Sequence, residues 1–192
     1  MREPSYLVSS IAAVALSLYA ASAAQSKGPS HSQMPDFMDY PSETPFSGAP
    51  AAPRFQIRQS TWPQDDPKFR EAVSNAARGG PNFAGAFMIV EISCGSGCLY
   101  MAIVDERDGS IFNDMPFSSL VVGSDLARGG RSLYLGLKYQ RNSRLLIAEG
   151  WFNGTSGVSG GTLERRYYLW TGNRFRLLKS TQIRNRDPLP LK

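Results

Sequence analysis

Short apolar runs separated by turn-forming residues dominate this chain from residue 86 onward, and they predict strands rather than helices. Residues 87–92 and 99–104 are apolar stretches on either side of Cys94-Gly95-Ser96-Gly97-Cys98. Residues 133–139 put Leu133, Leu135, Leu137 and Tyr139 on one face of a period-two strand. Residues 145–152 are apolar on both faces, the pattern of a strand in the middle of a sheet. Residues 162–170 and 175–183 are joined by Thr171-Gly172-Asn173, a hairpin turn. Shorter strand signals occupy 55–58, 110–112 and 117–122. The one helical pattern follows Asp66-Pro67, an N-cap acceptor with proline at the first helical position. Phe69, Ala72, Val73 and Ala76 then recur at helical spacing until Gly79-Gly80. The expected fold is mainly β: an antiparallel meander, sandwich-like or like a fragment of propeller blades, with one short N-terminal helix.

Upstream of this domain the pattern changes twice. Residues 7–24 are apolar, interrupted by Ser9, Ser10 and Ser17, and end in small residues that suit signal-peptidase cleavage after Ala23 or Ala24. Residues 1–24 therefore read as a signal peptide, with no stable membrane span after cleavage. Residues 25–53 carry six prolines and no hydrophobic period, which predicts a disordered linker. Residues 54–192 remain as a single β-rich globular domain, long enough to bury one core. Export implies a periplasmic or secreted protein and an oxidising compartment.

Charge is unevenly distributed. Residues 25–127 hold 7 Lys+Arg against 12 Asp+Glu, whereas 128–192 hold 13 against 3. A basic C-terminal half can meet a protein or an anionic envelope component, or serve only as a solubilising sheet face. Its candidate contacts are Arg165, Arg166, Arg174 and Arg176, with Trp151 and Asn153 beside the glycine-rich stretch 153–162. Nucleic acid is not an expected partner, since no recognition signature occurs.

The sequence excludes more chemistry than it offers. Its only histidine, His31, lies in the proline-rich linker, so no imidazole is held beside a nucleophile or a catalytic metal. No cofactor or metal is expected. Cys94 and Cys98 form a C-x-x-x-C pair in a strand–turn–strand context, which favours a structural disulfide over redox catalysis. The loop it closes is short, so the chain-entropy model allows it about 2 kcal/mol. The stretch 153–162 lacks the Gly-Lys-Ser/Thr ending and following helix of a phosphate loop. Asp105-Glu106-Arg107-Asp108-Gly109 reads as a solvated turn. Two acids interrupt otherwise apolar strands, Glu91 and Glu149. A close pair could act as general acid and base on a glycosidic bond. Each could instead face solvent or pair with an arginine such as Arg165 or Arg166.

Asn82-Phe83-Ala84-Gly85, the Cys94–Cys98 turn and Ile103-Val104-Asp105 with Asp108-Gly109 resemble a pattern in a family of small exported bacterial proteins. The similarity spans roughly residues 82–178. It implies periplasmic or extracellular residence and carries no reaction with it. The function expected is that of an exported, non-catalytic binding module, with a hydrolase using Glu91 and Glu149 as the alternative.

Overall fold

A computed structural model of the 192-residue chain describes residues 34–43, 45–55, 66–95, 97–113, 115–117, 120–122, 135–152 and 162–183. Within them the fold is mainly β, as the alternation predicts. Helix α1 (Pro67–Ala76) precedes β1 (Phe87–Gly95), β2 (Cys98–Asp105), β3 (Ile111–Phe112) and β4 (Leu120–Val121). The later strands are β5 (Leu137–Lys138), β6 (Leu145–Phe152), β7 (Thr162–Trp170) and β8 (Phe175–Gln182). All pairings between these strands are antiparallel. They run in the order β1-β2-β4-β6-β7-β8, with β3 also on β2 and β5 also on β6. Two wings result, β1–β3 and β5–β8, and β4 is the strand that pairs with both. Leu120 and Val121 pair with Leu99 and Cys98 on one side and with Phe152 and Trp151 on the other.

The period-two pattern explains how the wings pack. Phe87, Ile89, Met101 and Ile103 of the first wing share one buried cluster with Leu146, Ala148, Tyr168 and Trp170 of the second. The sheet therefore curls so that its two wings face each other across one apolar interior. Met88, Val90, Ile92, Tyr100, Ala102 and Val104 point the other way and meet Phe69 and Val73 of α1. Both faces of β1 and β2 are thus buried, which is why these strands read as continuous apolar runs. Helix α1 starts as its residues dictate: the Asp66 carboxylate accepts from the Lys68 N–H at 2.8 Å, and Pro67 occupies the first turn.

The Asn82–Gly85 segment is an architectural clamp. The Asn82 side chain accepts from the Ile89 N–H at 2.7 Å and donates to the Ile89 carbonyl at 3.0 Å. The Phe83 ring is fully buried against Tyr139, Trp170 and Phe175. The Ala84 and Gly85 N–H groups donate to the Ser143 and Arg141 carbonyls, tying one wing to the other.

The proline-rich segment departs from expectation. Residues 34–43 and 45–55 lie along the domain instead of forming a disordered linker. The Ser42, Phe46, Ala51 and Arg54 N–H groups donate to carbonyls of Asn142, Gly85, Glu106 and Gly109. Pro41 bridges Ser143. Prolines suppress local hydrogen bonding but not pairing with a distant edge, and composition reports only the former. Gly109 shows how close the strap comes: its φ is +75°, and a Cβ there would sit 2.0 Å from the Ala52 carbonyl oxygen. The expected signal peptide, strand residues 56–58 and most of the glycine-rich stretch lie outside the described residues. No helix among the described residues is long and apolar enough to cross a membrane.

Candidate functional site

Strand β6 sits between β4, β5 and β7, and its alternation separates two surfaces. Leu146, Ala148 and Phe152 face the shared interior, so Ile147, Glu149 and Trp151 face away from it. Glu149 stands opposite Arg165 in the register and is 3% exposed. Its Oε2 accepts from Lys138 Nζ at 2.7 Å, and its Oε1 from Arg165 Nε. Burial works against the Arg165 charge, yet the bond and charge of Glu149 hold that guanidinium above its ordinary pKa. Arg166, on the opposite face, pairs through Nε with Glu164 at 2.6 Å and lies 3.9 Å over the Phe152 ring. The Arg166 bond, joined by Ser180 Oγ at 2.8 Å, holds the Glu164 carboxyl below its usual range.

The four candidate arginines therefore divide into two kinds. Arg165 and Arg166 are spent on internal carboxylates, one on each face of β7. Arg174, in the hairpin turn, and Arg176, on edge strand β8, are exposed and pair with no carboxylate among the described residues. Register puts Arg176 opposite Leu169 and Lys179 opposite Tyr167, on the face that carries Arg165. Trp151 is half-buried beside Val121 and Leu163. Asn153 lies outside the described residues.

The two acids proposed as a catalytic pair are not brought together. Glu91 shares the face of Phe87 and Ile89, turned toward the interior side, whereas Glu149 faces away from it. Glu91 accepts from the Tyr139 hydroxyl at 3.0 Å. Partial burial raises its pKa, and the tyrosine bond opposes that rise. An inverting or retaining pair needs its carboxyls within ~10 Å across one substrate face. Opposite faces and two cations clamped on Glu149 do not supply that arrangement. The buried hydroxyl of Ser143 is no nucleophile either. It lies 2.9 and 3.0 Å from the Phe37 and Tyr40 carbonyls and accepts from the Leu145 N–H. Cys98 opens β2, and the side chain of Cys94 lies outside the described residues.

The turn after β2 corrects the expectation of a solvated loop. Asp105 is 8% exposed and holds Arg107 through two bonds, at 2.9 and 2.7 Å. Glu106 is fully buried, and neither carboxyl oxygen has a hydrogen-bond partner among the described residues. Burial, with Asp105 adding like charge, pushes its pKa up to about 6 from an ordinary 4.5. The native state then binds more protons than the unfolded chain between these values, so stability falls as pH rises through that window. A shift of this size is worth about 2 kcal/mol. Denaturant melts from pH 4 to 7 are expected to show Glu106→Gln gaining on the native protein by about that amount as pH rises. A constant difference between the two proteins across that range contradicts the assignment.

Sequence reasoning missed Glu106 and Lys138. Only the Glu149–Arg165 pairing had a sequence signal, an acid and arginines in neighbouring predicted strands. The fold and this arrangement define a curled antiparallel β-domain whose buried acids are mostly tied to cations. Comparison with protein-family models, curated proteins and solved structures found no match to this chain.

Proposed function

We propose that this chain is an exported, non-catalytic binding module of the bacterial envelope that takes an anionic partner on the basic surface of β7, β8 and their turn. The observation that carries the reading is the division among the cations. Arg174, Arg176 and Lys179 have no carboxylate to neutralise them among the described residues, whereas Arg165 and Arg166 do. Uncompensated charge on an exposed sheet edge attracts polyanions over about a Debye length and costs the fold little. Periplasmic or extracellular residence is part of the proposal, supported by residues 7–24, by the resemblance to small exported bacterial proteins, and by the Cys94/Cys98 pair. That pair is proposed as a disulfide staple.

Heparin serves as the probe polyanion. The mature domain is expected to be retained on it at ~50 mM salt and released steeply as salt rises, because screening removes the attraction. Failure to bind at low salt contradicts the reading.

A further inference from the structure

Strand β8 is an edge: among the described residues it pairs with β7 alone, and the strand order ends there. Such an edge offers a row of backbone donors and acceptors to another extended chain. The bonds at its two ends fix which groups those are. The Thr171 N–H donates to the Arg174 carbonyl at 3.0 Å and the Ile183 N–H to the Leu163 carbonyl at 2.9 Å, so residues 174 and 183 bond toward β7. Antiparallel alternation then turns the backbone groups of Phe175, Ser180 and Gln182 outward. The side chains divide by face. Arg176 and Lys179 stand opposite Leu169 and Tyr167 on one face, which they share because Leu178 is an extra, bulged residue between them. Leu177 stands opposite Tyr168 on the other face. It is 52% exposed, an apolar side chain left in water on a strand.

We infer that β8 takes up an extended, acidic segment of a partner protein as an added strand, bonded to the outward backbone groups and with its acids set against Arg174, Arg176 and Lys179. This rests on the basic surface proposed above and narrows its anionic partner to a polypeptide. Each feature of the edge selects something different. The cations call for acids. The outward N–H and C=O groups call for another backbone, and Leu177 for an apolar side chain at alternate positions of it. A polyanionic glycan meets only the first of these. A second copy of this chain is disfavoured, because pairing two β8 edges brings the cations of both together.

A short, fluorescein-labelled peptide that alternates glutamate and valine is the probe, with acids on one face and apolar side chains on the other. Fluorescence anisotropy at ~50 mM salt is expected to give a dissociation constant of about 100 μM or tighter. In the 15N-labelled protein, saturating peptide is expected to slow amide exchange at Ser180 and Gln182 by about tenfold or more, which charge attraction alone does not do. Gln182→Pro removes one outward N–H at constant charge, at an edge position where proline is tolerated. It is expected to weaken peptide binding by about tenfold and to leave heparin retention unchanged. The exchange measurement uses the native sequence, so it decides even if that variant does not fold. Peptide binding without slowed exchange at those amides overturns the inference, as does a peptide-free protein that dimerises with the same amides protected. No peptide binding at about 1 mM by a protein that heparin retains overturns it and leaves the polyanion reading standing. Loss of both rejects the two together.

Discussion

Trp170→Ala is expected to destabilise the domain by about 4 kcal/mol, the middle of the range for deleting a buried aromatic ring. The indole is the point where the two wings meet. Its ring lies 5.3 Å from Phe87, 5.5 Å from Phe112, 6.4 Å from Phe83 and 4.9 Å from Phe175. Those partners come from β1, β3, the clamp before β1, and β8, so truncation opens a cavity that no single element can collapse to fill. A domain of this size has about 5–15 kcal/mol in total, so the loss consumes much of it. Half-buried Trp151 supplies the control, with about 1 kcal/mol expected from the same truncation. Equilibrium urea unfolding measures both. A cost below about 1.5 kcal/mol for Trp170→Ala contradicts the packing described here.

The second large effect falls on Glu149. Removing its carboxylate as Glu149→Ala leaves Lys138 and Arg165, whose side chains are 35% and 20% exposed, facing each other without an anion. Breaking a buried pair from one side costs about 3–5 kcal/mol, and the partial exposure of the cations lowers the expectation to about 3. Replacing all three residues together with apolar ones of similar size is expected to recover most of that loss, because the charges then vanish as a set. If the triple replacement is no more stable than the single one, the cost lies in packing and not in orphaned charge.

Local signals carried the parts of this fold that local physics decides. The Asp66-Pro67 start of α1, its Phe69/Val73 stripe and the Thr171–Arg174 turn depend on neighbours a few residues apart, and each is where its pattern indicates. The unbroken apolar character of β1 and β2 also has a plain cause, since helix and interior cover opposite faces. What stayed hidden is non-local. Strands β3, β4 and β5 are two residues each and exist only through their partners. The 34–43 and 45–55 stretches of the strap are held by carbonyls in the turns near residues 106, 109 and 142, which their prolines do not announce. Glu106 sits in a stretch of charged residues that composition assigns to water, yet the strap and the chain before β1 both bond its backbone: Ala51 N–H donates to its carbonyl, and its own N–H donates to Ala86.

A paired comparison tests the division of cations most directly. Arg174→Glu/Arg176→Glu and Arg165→Gln/Arg166→Gln would each be measured for heparin affinity and for melting temperature. The account predicts that the first pair loses heparin binding by at least about tenfold with its melting temperature nearly unchanged, while the second melts several degrees lower. Heparin binding that survives reversal of Arg174 and Arg176 in a folded protein contradicts it.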